Sequence, residues 1–263
     1  MRDSVLFQSK DLKILDVGLM PWTPNTGIPG GQWKPLEYHE EGWESVVLNW
    51  LPPGLVGSPP HRHYHQTVRE FGLVLGGDLP MVEFVSGEPG PGMGVVFREG
   101  VYMDRAPGCV HGLDPRSTSR TGFTILEWRD GPGTYLMEEG AEQESIVEDA
   151  PMEVRELISD SKPGVILERN DLRLVDVFEY PWESEVEDAN MCVQFLSPGQ
   201  SSICYVTPSA QVRMLGELRA YVLSGSMHLD SGVTAHSGCY LEQKREGSTL
   251  GFSGMTGCRI LRF

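Results

Sequence analysis

The sequence predicts an all-β protein built from two tandem copies of one β-unit, each a jelly roll or small barrel. Two observations carry this. Apolar segments are short and end on turn formers, as in Phe71-Gly72-Leu73-Val74-Leu75 before Gly76-Gly77, or Tyr221-Val222-Leu223 before Ser224-Gly225. Such punctuation belongs to many antiparallel strands joined by tight turns, and helical periodicity is scarce. The second observation is an internal repeat. Asp11-Leu12-Lys13-Ile14-Leu15-Asp16-Val17, followed by Pro21-Trp22, returns as Asp171-Leu172-Arg173-Leu174-Val175-Asp176-Val177, followed by Pro181-Trp182, with six of twelve positions identical. A period of that kind marks a duplicated structural unit.

In chain order, residues 1–137 form the first copy, 138–163 an acidic linker and 164–263 the second copy. The linker carries Pro151 and offers one short helix from Met152 to Ser159, its charge run a solvated face. Leu48-Asn49-Trp50-Leu51-Pro52-Pro53-Gly54 resembles Val193-Gln194-Phe195-Leu196-Ser197-Pro198-Gly199. On that pairing the first copy has a long insertion, Thr23 to Trp43, which includes Trp33, Tyr38, His39 and Trp43. Long aromatic loops cover sites or pack across subunit boundaries. The two repeated segments at Asp11 and Asp171 are candidates to add strands to a neighbouring unit, within the chain or across a dimer.

Composition narrows the function. The chain has 263 residues and a net charge of −16, which disfavours nucleic acid and anionic membrane as partners. Five scattered cysteines without a Cys-x-x-Cys pair suit free thiols in a reducing compartment, so a cytoplasmic location is expected. The N-terminus lacks the apolar run of a signal peptide, and no stretch is long enough to span a bilayer.

The chemistry concentrates in Gly57-Ser58-Pro59-Pro60-His61-Arg62-His63-Tyr64-His65 and in Gly100 to His111. On a strand, alternate side chains share a face, so His61, His63 and His65 point one way and Arg62 and Tyr64 the other. Several imidazoles and one carboxylate make a mixed nitrogen and oxygen donor set. Such a set suits Fe(II), Mn(II), Ni(II), Cu(II) or Zn(II) and leaves positions for water or substrate.

The spacing resembles the two signature motifs of the cupin superfamily. From Gly57 the first reads five residues, His63, one residue, His65, four residues, Glu70, six residues, Gly77, without a gap. The second reads Gly100, five residues, Ala106, Pro107, Gly108, Cys109, Val110, His111. Ala106 takes the place of the family's proline and Pro115 that of its asparagine, departures that bear on loop shape. The resemblance implies His63, His65, Glu70 and His111 as ligands of one divalent transition metal per chain, Fe(II) favoured, with Glu70 also catalytic. His61 lies outside the motif and is expected at the rim. Aligning Gly77 with Gly225 sets Gln211 opposite His63, Arg213 opposite His65 and Leu218 opposite Glu70. Where His111 would fall, Glu242, Lys244 and Glu246 stand instead, and His228 and His236 are out of register. The second copy is then a bicupin's metal-free half, structural and dimerising.

With a Pro-Trp entry segment, the set resembles cupin dioxygenases of the acetylacetone and 2,4'-dihydroxyacetophenone type, which implies a small diketone, hydroxyketone or aromatic ketone as substrate; a homodimer is expected from the sheet edges that the repeated segments would pair. Arg69, Tyr102 and Arg105 are candidates to meet an anionic or enol substrate. A metal-dependent isomerase, lyase or hydrolase on a small sugar or carboxylate is the alternative, and a metal-binding sensor the third. An apolar cavity favours the dioxygenase, and a polar one lined by arginines favours sugar or carboxylate chemistry.

Overall fold

Alternation in the sequence becomes strand in the described residues. The computed structural model describes residues 4–25, 28, 30–38, 44–54, 63–84, 92–113, 118–131, 135–137, 152–153, 163–183, 191–197, 200–244 and 249–263, and regular structure there is almost entirely β. Phe123–Arg129 shows why. Its odd-numbered residues face one way, and on the other face Trp128 stacks on Phe71 at 5.6 Å between ring centres.

The chain divides into two compact units, one of Trp22–Tyr180 and one of Met1–Pro21 with Pro181–Phe263. These do not follow the boundaries 1–137, 138–163 and 164–263. The reason is the repeated segment, which in each sequence copy completes the ladder of the other copy. Leu172–Asp176 pairs antiparallel with Val101–Arg105 in the first unit, and Leu12–Asp16 pairs with Cys239–Gln243 in the second. Strand addition within one chain thereby covers an open edge in both. The ends of the two segments are built alike. Val177 N donates to Gly100 O and Val17 N to Gly238 O, both at 3.0 Å. Asp176 Oδ1 accepts from Phe178 N as Asp16 Oδ1 accepts from Gly18 N, both at 2.9 Å.

Gly77 and Gly225 confirm the repeat at the turn where the sequence alignment was anchored. Both have positive φ, and a Cβ on either would sit 1.9 Å from a carbonyl oxygen, of Gly122 or of Gly257. Only glycine fits such an approach.

Other parts of the alignment change. Thr23 pairs with Trp33, and Glu183 bridges Val193 at the same spacing. Gln32–Tyr38 therefore corresponds to Met191–Ser197, and Glu44–Leu51 to Ser201–Val206, the partners of Phe123–Arg129 and Cys258–Arg262. Gly54 and Ser209 match as well, both with positive φ. So Leu48–Gly54 is not the counterpart of Val193–Gly199, and residues 23–38 are no insertion. Similar apolar runs ending in Pro-Gly misled the comparison. His39 and Trp43 lie outside the described residues.

Each unit has its own apolar core. Val74, Val95, Phe97, Met103, Ile125 and Leu174 belong to one, and Ile14, Val222, Leu229, Leu241 and Ile260 to the other. Met152–Glu153 runs as a two-residue strand parallel to Met93–Arg98, so the helix expected from Met152 does not begin there; 154–159 lie outside the described residues. The five cysteines are free, and no described helix is long and apolar enough to cross a membrane.

Candidate functional site

Three strands of the first unit bring the motif residues together. His63–His65 lies between His111–Leu113 and Tyr135–Met137, with His111 directly opposite His63. Glu70 opens the long strand Glu70–Glu83, whose far end returns to pair Glu83 with His111. Period-two geometry then decides the faces. His63 and His65 point inward, while Tyr64 packs outward on Val82, Phe84 and Val110. The His63 ring lies 4.2 Å from that of His111 and 5.8 Å from that of His65, centre to centre. His65 Nε2 is 3.3 Å from Glu70 Oε1, and His111 Nε2 is 3.0 Å from Glu70 Oε2. His61 lies outside the described residues.

Of the three candidates to meet a substrate, Arg105 is the one that lines the cavity, where it also binds Glu70. It is buried, 4% exposed, and donates from Nη1 to Glu70 Oε2 at 3.0 Å and from Nη2 to Glu83 Oε1 at 2.5 Å. Burial opposes its charge, but Glu83 and Glu70 outweigh that and hold the guanidinium firmly protonated. Burial likewise pushes Glu70 up, and His111, His65 and Arg105 more than offset it, keeping the carboxyl well below the usual range. Arg69 pairs with Asp104, and Tyr102 is buried beside Trp128, so neither lines the cavity among the described residues.

The cluster opens into a cavity of about 590 Å³. Ile28, Trp33, Val47, Leu79, Met103 and Phe123 are among its walls, which are mostly apolar. Asn25, Asn49, Glu127 and Arg129 interrupt them. Asn49 Nδ2 donates to Glu127 Oε2 at 2.6 Å, and Asn25 Nδ2 is 3.5 Å from Asn49 Oδ1. Burial, then the negative charge of Glu70, push the Glu127 carboxyl up to about 7 against Arg129, Arg105 and the Asn49 hydrogen bond. The sequence held a signal for it: Phe123, Ile125, Glu127 and Arg129 are alternate residues, which sets a carboxyl on the inward face.

Among the described residues, no group of three or more His, Cys, Asp and Glu side chains is arranged to hold an ion as it stands. Here Glu70 contacts the two Nε2 atoms directly. The donor chemistry nevertheless fits a cation. His111 Nδ1 is 3.1 Å from the Cys109 carbonyl oxygen, while its Nε2 faces the Glu70 carboxylate. In the neutral form that a metal ligand takes, the imidazole carries one N–H and cannot donate to both acceptors. Donation from Nδ1 to the carbonyl leaves an Nε2 lone pair pointing at a carboxylate, an arrangement that a shared cation satisfies.

Among the described residues the second unit has no such set. Leu250 pairs with Met214 as His111 pairs with His63, and Leu218 pairs with Gln243 as Glu70 pairs with Arg105. Met214, not Gln211, therefore stands in the place of His63, and Leu250, not Glu242 or Lys244, in that of His111; Glu246 lies outside the described residues. The loop before Leu218 is shorter, which shifts the register that Gly225 alone implied. Met214, Leu218 and Leu250 are packed into the apolar core. His228 and His236 are exposed, beside Thr234 and Asp16.

No family model and no curated protein matches the chain. Solved structures do. A proposed dioxygenase from Nostoc punctiforme shares 13% identity at a TM-score of 0.64, covering 97% of this chain and 82% of that one. The E. coli protein Ylba, of the DUF861 family model, gives 15% and 0.59 over 96% and 90%. Lactobacillus farciminis oxalate decarboxylase in a formate complex gives 11% and 0.59 over 97% and 86%. The likeness is one of fold. This chain has a cupin-type fold.

Proposed function

We propose that this chain is a bicupin, two tandem jelly-roll barrels, and a non-heme Fe(II) dioxygenase acting on a small diketone, hydroxyketone or aromatic ketone. His63, His65, Glu70 and His111 would hold one divalent metal per chain, Fe(II) before Mn, Ni, Zn or Cu. The observation that carries the reading is the convergence of these four side chains on a mostly apolar cavity. The ion, when bound, supplies redox chemistry and positive charge that favours an enolate. The apolar walls exclude water and orient a small organic molecule. Arg105 fixes the Glu70 carboxylate and keeps it ionised, the form in which a carboxylate can take the acidic proton of a diketone or hydroxyketone. The second unit serves structure and dimerisation, and a cytoplasmic homodimer is the expected assembly.

Arg129 on the cavity wall favours a second reading, Lewis-acid chemistry on a small carboxylate or sugar. A sensor role remains the third.

Two measurements test the proposal. Elemental analysis of protein purified without added metal is expected to give one ion per chain, lost in His63→Ala; two ions, or full retention in the variant, contradict the assignment. With Fe(II), oxygen uptake is expected with a β-diketone or hydroxyketone. Glu70→Gln should retain part of the metal and turn over at least tenfold more slowly, and His111→Ala should lose both. Turnover of a carboxylate or sugar without oxygen uptake would establish the second reading instead.

A further inference from the structure

A carboxyl in an apolar wall needs a reason, and the fold does not supply one. At the ladder positions of Glu127 and Asn49 the second unit carries Arg262 and Cys204, so neither residue type is demanded by the architecture. Glu127 is half-buried, and it lines the cavity. Among the described residues Asn49 is its hydrogen-bonding partner, on Oε2, which leaves Oε1 to a molecule in the cavity. Glu127 also lies one inward position along the sheet from the Glu70 rung: Arg129 pairs with Glu70, and Glu127 with Gly72. A ligand held at the histidines therefore passes Glu127, and a polar group on it meets an oriented oxygen in a mostly apolar wall.

We propose that Glu127, oriented by Asn49, is a specificity-determining residue that hydrogen-bonds a hydroxyl group on the substrate. This rests on the cavity being the substrate site and narrows the substrate class to hydroxylated small molecules. A site that hydrogen-bonds a hydroxyl rejects the analogue lacking it, because the buried partner is then left unpaired. A carboxyl whose protonation changes near neutrality serves this role in both forms, accepting when ionised and both accepting and donating when protonated.

Isothermal titration of the full-length protein, freed of metal, with the three cresols and with toluene tests the inference. At least one cresol is expected to bind about tenfold or more tightly than toluene, the scale of one hydrogen bond to a charged group. Glu127→Leu should erase that preference and leave toluene affinity within about threefold, and Asn49→Leu should weaken it. Should Glu127→Leu not fold, Glu127→Gln serves, with the preference reduced severalfold. The inference is overturned if wild type binds no cresol better than toluene, if it binds none of the probes, or if the preference survives at Glu127. Since no metal or turnover enters the titration, these outcomes are separate from those of the oxygen-uptake test.

Discussion

Arg105→Met is expected to destabilise the fold by about 3–5 kcal/mol at neutral pH, the scale for removing one partner of a buried ion pair. Arg105 is buried and serves two buried carboxylates at once, Glu70 at 3.0 Å and Glu83 at 2.5 Å. Methionine fills much of the volume, so lost packing contributes little and the cost is electrostatic: Glu83 is left as a negative charge without its guanidinium in a low-dielectric interior. Taking up a proton neutralises a stranded carboxylate. The deficit should therefore shrink as pH falls from 7.5 towards about 4, where carboxyls in the unfolded chain also protonate. Urea unfolding of both proteins across that range measures it. Arg105→Lys should not restore wild-type stability, because an ammonium cannot span both carboxylates with a planar fork. A deficit below about 1 kcal/mol, or one independent of pH, would show that the network is held by something other than this charge balance.

Among the metal-ligand candidates, the shared face of His63 and His65 was legible from local geometry, whereas Glu70 and His111 joined them through the resemblance of the motif spacing. His63 and His65 are two apart on a strand, and that fixes their common face whatever surrounds them. Arg105 was not legible as a partner of Glu70, since only the pairing of Val101–Arg105 with Glu70–Glu83 sets the two opposite each other. The same limit explains the alignment errors. Leu48–Gly54 and Val193–Gly199 look alike because any core strand running into a Pro-Gly turn does. The ladders, which sequence does not show, assign Glu44–Leu51 to Ser201–Val206 instead. The repeated segments were recognised as candidate added strands, but which unit each completes is a matter of long-range pairing, and it moved both unit boundaries.

Glu127→Gln is expected to stabilise the metal-free protein at and above neutral pH and to leave it unchanged in acid. Burial, and next the charge of Glu70, raise the Glu127 carboxyl to about 7 in the folded chain. In the unfolded chain it ionises near 4.5. Between those values the unfolded state has released a proton that the native state retains, so stability falls as pH rises through this window and is constant on either side. At 1.36 kcal/mol per unit the loss is about 3 kcal/mol at most, and water in the cavity reduces it through screening. Gln has no charge to release, and its carbonyl oxygen still accepts from Asn49 Nδ2. The difference in unfolding free energy between variant and wild type should thus be near zero at about pH 4, grow between about 4.5 and 7, and level off above that. Taking the difference cancels every other titrating group that the substitution leaves alone. Parallel stability curves for the two proteins from about pH 4 to 8 would mean that Glu127 ionises alike in both states and carries no burial penalty in this wall.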